Sequence, residues 1–140
     1  MNLLARREHS REELWQKLRK RYDEPELREA IDALAVENLQ SDERFAAAYV
    51  RERMMRGFGP LKIVAELTQR GVSASIVSST LDKVPRDEKT TWTQVAQDAY
   101  QRRFGEEPPY DLPDKARRLR FLNQRGFSGD QLNVVPEPFS

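Results

Sequence analysis

Residues 56–73 read Arg56-Gly57-Phe58-Gly59-Pro60-Leu61-Lys62-Ile63-Val64-Ala65-Glu66-Leu67-Thr68-Gln69-Arg70-Gly71-Val72-Ser73. This stretch contains one complete helix with its start and stop signals. Pro60 suits a first helical turn, because the N–H that proline lacks would be unpaired there. Gly71 predicts a left-handed stop, and Ser73 predicts the cap of the next helix. The apolar residues that recur between these signals at helical spacing are Ile63, Val64 and Leu67.

The last five residues of this stretch are similar to a pentapeptide near the C-terminus. Gln69-Arg70-Gly71-Val72-Ser73 returns as Gln124-Arg125-Gly126-Phe127-Ser128. Arg21 occupies the corresponding place in the first third of the chain, 49 positions before Arg70, and Arg125 follows Arg70 by 55 positions. Tyr22 stands there in place of the stop glycine. The spacing predicts a loose tandem repeat.

Capping and periodicity predict three helices in each repeat. The predicted helices cover residues 2–8, 10–22, 25–34, 41–56, 60–70, 73–81, 90–104, 113–125 and 128–135. The predicted fold is therefore all-α, with three tandem three-helix bundle repeats in an elongated body that is free to curve. The predicted repeats are residues 1–39, 40–84 and 85–140. Residues 84–87 are expected to form a polar connector, residues 106–111 a rigid proline-rich linker, and the C-terminal tail is expected to fray.

Composition excludes several classes of protein and site. The chain has no cysteine and one histidine, so disulfides and zinc sites built from cysteine and histidine are excluded. No apolar run reaches the roughly 20 residues of a membrane span. We therefore expect a cytoplasmic protein that does not enter the membrane. It is also expected to be a monomer, because no long heptad pattern calls for a second copy.

No residue set in the sequence supports catalysis. His9 has no oriented partner in the pattern and is interpreted as a linker residue. Gly57-Phe58-Gly59 is too short for a dinucleotide fingerprint, and a phosphate-binding loop with its lysine is missing. The prediction is a protein without catalytic residues, metal or cofactor.

Basic residues are the best candidates for a binding surface. Five of them lie between residues 115 and 125 without an acid. The helix dipole explains Arg21, Arg70 and Arg125 at helix ends. It does not explain Arg117, Arg118 and Arg120, which are expected to lack neighbouring acids. The candidate surface residues are Arg51, Arg56, Lys62, Arg70, Lys115, Arg117, Arg118, Arg120 and Arg125.

Several fragments together resemble the RecX family of bacterial recombinase modulators. The matching fragments are Arg7 to Leu14 with Lys17-Leu18, Asp42 to Ala46, Gly57 to Pro60, Ile63, Glu66-Leu67, Arg70 to Val72, Trp92, Arg103 to Gly105, Lys115 to Arg117, Arg120 to Leu122 and Arg125 to Ser128. The resemblance covers nearly the whole chain. It implies tandem three-helix repeats and a cytoplasmic protein that binds the RecA filament on single-stranded DNA, lowers its ATP hydrolysis and strand exchange, and favours disassembly.

The physical hypothesis is that several weak contacts along a helical polymer add through effective concentration. Direct contact with single-stranded DNA is left open. The alternative is a stand-alone DNA-binding protein that uses one module as a helix-turn-helix reader. An enzyme is a third option without a supporting residue set.

Overall fold

The computed structural model describes residues 7–138, which contain helices and no strand. The α-helices are α1 (Arg11–Leu18), α2 (Glu24–Val36), α3 (Asp42–Met55), α4 (Pro60–Gln69), α5 (Ala74–Asp87), α6 (Trp92–Phe104) and α7 (Leu112–Gln124), and a 3₁₀ helix spans Gly129–Val134. The all-α prediction is confirmed. The predicted helix over residues 2–8 lies outside the described residues, apart from Arg7 and Glu8, which are not helical.

The helices begin and end where capping residues predict. Ser10, Ser41 and Ser73 cap α1, α3 and α5, each accepting a hydrogen bond from the backbone N–H three residues later. Gly71 and Gly126 are left-handed, with φ of 82° and 101°. In each case the following residue also donates its N–H to a carbonyl five residues back, so α4 and α7 end in the same type of Schellman turn.

The predicted connector at residues 84–87 is wrong, because α5 continues to Asp87 with Pro85 inside it. A proline in a helix leaves the carbonyl four residues earlier without its backbone donor. Here that carbonyl belongs to Leu81, and the indole N–H of Trp92 donates to it at 3.0 Å. The hydrogen bond satisfies the carbonyl and joins α5 to α6. The predicted boundary between residues 84 and 85 therefore falls inside a helix.

Three helical units follow one another along the chain. Unit 1 contains α1 and α2, unit 2 contains α3 to α5, and unit 3 contains α6, α7 and the 3₁₀ helix. Leu14, Leu27 and Ile31 form a separate core in unit 1. A second core runs without interruption from Phe45 in α3 to Val135 after the 3₁₀ helix, so units 2 and 3 are packed as one body.

The start of α4 docks onto the end of α7, a contact here called the α4–α7 joint. The Gly59 N–H donates to the Arg125 carbonyl at 2.7 Å, and the Leu61 N–H donates to the Gly126 carbonyl at 3.1 Å. A Cβ on Gly59 would lie 2.5 Å from the Gly126 carbonyl carbon, and one on Gly126 would lie 2.6 Å from Lys62 Cβ. Two glycines are therefore needed for the backbones to meet.

The start of α1 docks onto the end of α4 in the same way, and this contact is called the α1–α4 joint. Ser10 Oγ donates to the Arg70 carbonyl at 2.8 Å. A Cβ on Gly71 would lie 2.4 Å from Glu12 Cβ. The two joints place α1, α4 and α7 end to end, which supports the predicted elongated body.

The end of α1 differs from the ends of α4 and α7. None of residues 19–23, in the loop between α1 and α2, is left-handed: the loop has no glycine, and the non-glycine residues with positive φ in the described chain are Asn38 and Lys89. Tyr22, in the loop after α1, is 49 % exposed. The missing glycine thus coincides with a helix end onto which no other helical unit docks among residues 7–138. Within residues 7–138, no helix has the length and apolar character needed to cross a membrane.

Candidate nucleic-acid interface

A cleft of about 200 Å³ opens beside the α4–α7 joint and is lined mainly by arginine. Arg56 follows the last residue of α3, Arg125 follows the last residue of α7, and both Arg102 and Arg103 lie in the last turn of α6. Three helix C-termini therefore converge, and their dipoles favour cations at this place. The remaining lining residues are Ala99 and Phe121, so no carboxylate lines the cleft.

Most of the charge in this arginine cleft is not neutralised. Arg56 pairs with Glu52 at 3.1 Å, one turn earlier on the same helix. Arg125 donates to the Arg56 carbonyl at 3.4 Å, a contact that leaves its positive charge uncompensated. Arg102 and Arg103 are exposed and form no ion pair within residues 7–138. The cleft can therefore attract anions such as phosphate or carboxylate.

Aromatic rings hold several of these cations in place. The Arg125 guanidinium carbon lies 4.7 Å from the centre of the Phe58 ring and 5.1 Å from that of Phe121. Arg103 lies 5.6 Å from Phe121, and the Lys62 ammonium lies 5.4 Å from Phe58. A guanidinium that stacks on a ring keeps its N–H edges free for a bidentate contact with an anion. The rings thus position the arginines for binding.

The same alternation of arginine and aromatic side chains continues away from the cleft, but there the arginines are paired. Arg53 lies 4.0 Å from the Phe58 ring centre and binds Glu66 at 2.9 Å. Arg117 lies 5.3 Å from the Phe104 ring centre and binds Asp114 at 2.8 Å. Free positive charge is therefore concentrated in the arginine cleft.

Arg118, a predicted surface residue, is buried with 7 % of its surface exposed. Its guanidinium donates to the Tyr100 hydroxyl and to the Glu107 carbonyl, each at 2.8 Å. It also binds Asp114 at 3.1 Å. Arg118 therefore fixes the proline-rich linker against α6 and α7 and is not available to a partner.

The prediction that this basic cluster lacks acidic neighbours is wrong, because Asp114 contacts both Arg117 and Arg118. The backbone N–H of Tyr110 donates to this carboxylate, and together with the two arginines it lowers the pKa of Asp114 to about 2. The carboxylate is therefore charged at any physiological pH, and it offsets much of the positive charge of the cluster.

The other predicted residues lie in different surroundings. Arg51 pairs with Glu88 at 2.6 Å, Lys115 pairs with Glu137, and Arg70 contacts Glu13 at 3.7 Å. Arg120 and Lys62 form no ion pair in the described part of the chain. The structure thus brings Arg56 and Arg125 together in the cleft and leaves most of the other predicted residues outside it.

Arg102 and Arg103 were missed by the sequence reasoning. Their sequence signal is visible, because Gln101-Arg102-Arg103-Phe104 ends a predicted helix with two adjacent arginines. Their proximity to Arg56 and Arg125 depends on the packing of unit 2 against unit 3, which cannot be predicted from the spacing of residues in the sequence. No cluster of potential metal ligands is present among the described residues.

Comparison with known proteins identifies relatives over nearly the whole chain. The family model described as RecX, first three-helix domain, matches residues 1–34, and the one described as RecX, second three-helix domain, matches residues 41–81. The regulatory protein RecX of Xanthomonas axonopodis pv. citri is 44 % identical over 96 % of this chain and 82 % of its own length. The protein of the same name from Halorhodospira halophila is 42 % identical over the same shares.

Solved structures agree on the fold. A crystal structure of RecX from Lactobacillus salivarius has a TM-score of 0.76 and 23 % identity, and the match covers 94 % of this chain and 86 % of that one. A crystal structure of regulatory protein RecX has a TM-score of 0.77 at 20 % identity, and this chain spans 66 % of its length. With two domain models and curated relatives matching in order, the chain belongs to the RecX family of regulatory proteins.

Proposed function

We propose that this protein binds the helical filament of RecA on single-stranded DNA and lowers its ATP hydrolysis, strand exchange and growth. The observation that carries the proposal beyond family membership is the arginine cleft, where Arg102 and Arg103 stand exposed without an ion pair within residues 7–138. A nucleoprotein filament presents both phosphates and acidic side chains, and either would be attracted to this surface. We propose a cytoplasmic monomer that needs no cofactor.

The arrangement of the units supports binding at several points. Units 2 and 3 share one core, and unit 1 is attached through the α1–α4 joint, so the units are presented in a fixed order. The exposed face of α2 in unit 1 is acidic and includes Glu24, Glu26 and Glu29. Contacts made by a basic cleft and an acidic face at separate places along a polymer would reinforce one another through effective concentration.

The binding surface that we propose is centred on Arg56, Arg102, Arg103 and Arg125, with Lys62 and Arg120 at its edges. Because Arg118 is buried, a charge-reversal variant that included it would damage the fold and say nothing about binding. The exposed pair in α6 offers a cleaner variant, R102E/R103E.

The test is a titration of the protein into RecA filaments on single-stranded DNA while ATP hydrolysis is followed. We expect R102E/R103E to require at least about tenfold more protein for half-inhibition than the parent, with the largest difference at low salt. R19E/R21E is the matched control, because Arg19 and Arg21 are also exposed arginines after a helix but lie in unit 1. Equal inhibition by the parent and R102E/R103E would reject the arginine cleft as the filament contact.

The alternative, a stand-alone helix-turn-helix reader of duplex DNA, has less support. Such readers place the N-terminal residues of the recognition helix against base edges in the major groove. The N-termini of α1 and α4 are engaged in joints, through Ser10 and Gly59. The alternative predicts sequence-dependent binding to naked duplex without a recombinase, which the fluorescence anisotropy of labelled duplexes of different sequence measures.

A further inference from the structure

We propose that the arginine cleft and the cavity next to it form one site for single-stranded nucleic acid. The arginines would bind consecutive phosphates, and the cavity would accept one unstacked base. This inference deepens the proposed function and rests on it, since it specifies which component of the filament the cleft contacts.

The second cavity has a volume of about 230 Å³ and shares Arg102 with the arginine cleft. Its apolar wall consists of Met54 and Met55 at the end of α3 and Val95 in α6. Met55 is 71 % exposed, so its side chain is available to a ligand in this cavity. Pockets for drug-sized ligands occupy roughly 300–1,000 Å³, so this smaller cavity suits a fragment such as one base.

The polar residues of the cavity favour a base over a phosphate. Asp98 and Glu88 line it, and although Glu88 is paired with Arg51, the negative charge of Asp98 would repel a phosphate group. Asp98 accepts one hydrogen bond from Gln94 at 2.9 Å, so most of the acceptor capacity of its carboxylate is left for the amino group of a base. Methionine side chains pack well against flat aromatic rings. The cationic cleft and the apolar cavity with its carboxylates thus lie on the two sides of Arg102.

The arginine cleft favours a nucleic-acid strand over a protein segment. Specific protein interfaces have an apolar centre filled by anchor side chains. Here the faces of Phe58 and Phe121 are covered by guanidinium groups, so the cleft offers charge and little open apolar surface. A polymer with a phosphate at every residue matches several adjacent arginines in a way that one acidic side chain does not.

Occupation of the cavity requires a base outside the stack. In a duplex, removal of a base breaks its pairing and stacking, whereas a single strand loses little. The two-part site therefore predicts a preference for single strands and tolerance of sequence.

The experiment measures fluorescence anisotropy of a fluorescein-labelled single-stranded 20-nucleotide DNA with the full protein and no recombinase. We expect R102E/R103E to weaken binding at least about tenfold and to reduce the dependence of affinity on salt, because fewer counterions are released. R19E/R21E should bind within about twofold of the parent. Tripolyphosphate, used as a competitor, distinguishes a strand site from a site for free phosphate, since it should displace the DNA only at a large excess.

M55S tests the cavity separately, and the exposure of Met55 makes this change compatible with folding. We expect about three- to tenfold weaker binding of the normal strand and no change for a strand of abasic residues, because only the former inserts a base. Duplex of the same sequence should bind the parent more weakly than the single strand. Equal binding of duplex and single strand, or equal loss for normal and abasic strands, would overturn the base cavity.

The outcomes separate this inference from the proposed function. If R102E/R103E binds the naked strand like the parent but loses inhibition of the filament, the cleft contacts protein and the nucleic-acid inference is wrong. If the variant loses the naked strand but inhibits the filament normally, the nucleic-acid site stands and the proposed filament contact fails.

Discussion

The α1–α4 joint and the α4–α7 joint share the contact of a helix start with a left-handed glycine, and they differ in electrostatics. In both, the first residues of one helix meet the left-handed glycine that ends another, Gly71 in one case and Gly126 in the other. Around the α1–α4 joint the charges are paired: Arg70 contacts Glu13 at 3.7 Å, and Arg44 of α3 binds Glu8, just before α1, at 3.0 Å. Beside the α4–α7 joint they are not.

This difference shows that the contacts that hold the units together are distinct from the charged side chains that are available to a ligand. Both joints depend on a close-packed glycine and on hydrogen bonds to the carbonyls of a helix end. The donors are backbone N–H groups at the α4–α7 joint and the Ser10 hydroxyl at the α1–α4 joint, so neither joint requires unpaired charge. The exposed arginines of the cleft add little to stability in their present surroundings, since single exposed charges contribute little. Their concentration at one joint is therefore best explained by a partner.

The largest expected effect is that of G126A, which should break the α4–α7 joint. The added Cβ would lie 2.6 Å from Lys62 Cβ and 2.7 Å from its backbone nitrogen, at a residue with φ of 101°. We expect a loss of about 3–5 kcal/mol in the free energy of unfolding. Urea unfolding measures it.

G105A is the matched control for this prediction. Gly105 also has positive φ, 73°, but a Cβ there would meet nothing within 4 Å. The expected loss is about 1–3 kcal/mol, because φ of 73° and ψ of −157° place Gly105 in a backbone region that is nearly restricted to glycine. Equal losses in the two variants would show that Gly126 is a helix stop and not a close-packed joint.

The next effect is that of G71A, which should strain the α1–α4 joint. Its Cβ would lie 2.4 Å from Glu12 Cβ, but Glu12 is an exposed residue at the start of α1 and has more freedom to shift. We expect a loss of about 2–3 kcal/mol. E12G removes the clashing atom, so a double-mutant cycle should give a favourable coupling between the two changes. If the losses in the free energy of unfolding of G71A and E12G simply add in the double variant, the proposed clash between these two residues is contradicted.

A smaller effect should distinguish the charges of the two joints. R44M removes the ion pair with Glu8, and we expect a loss of at most about 1 kcal/mol of stability with unchanged inhibition of the filament. R102Q/R103Q should show the reverse, with unchanged stability and weaker inhibition. Thermal unfolding and the ATP hydrolysis titration, performed on both variants, make the comparison. A loss of inhibition in R44M would extend the binding surface to unit 1.

The smallest effect concerns pH at the α1–α4 joint. Burial, followed by the positive charges of Arg7 and Lys17, lowers the pKa of His9 below its ordinary value of 6.5. The unfolded chain therefore binds a proton more readily than the folded one, so stability should fall as the pH drops below about 6.5 and should be unaffected above it. Melting temperatures between about pH 5 and 8 should show this fall in the parent and a shallower one in H9Q. Parallel curves would exclude His9 as the cause.

Much of the fold could be predicted because its signals are local. Capping serines, the stop glycines and the apolar periodicity each act within one or two turns, and they placed most helix ends within a few residues. Pro85 was misread because its lost hydrogen bond is replaced by Trp92, seven residues later in sequence and on another helix. A local signal cannot reveal a compensation of that kind.

The candidate site depends on packing between units, so only part of it could be predicted from the amino-acid sequence. Arg56 and Arg125 were named for their charge, whereas their meeting with Arg102 and Arg103 requires the α4–α7 joint. Arg118 was misjudged for the same reason, because its burial depends on Tyr100 and on the linker that crosses above it. The proposed repeat boundaries remain a prediction.

The end of α1 sets a limit on the size of the assembly that this chain can form. In each joint, the start of one helix docks onto the left-handed end of another. A contact of this kind between two molecules would be head-to-tail, and repetition of it would build a fibre. Tyr22 projects from the corresponding loop of unit 1, and no residue there is left-handed. The helix start of a neighbouring copy would have no left-handed helix end to dock onto here. This type of joint therefore cannot link copies of the chain into a fibre through the end of α1.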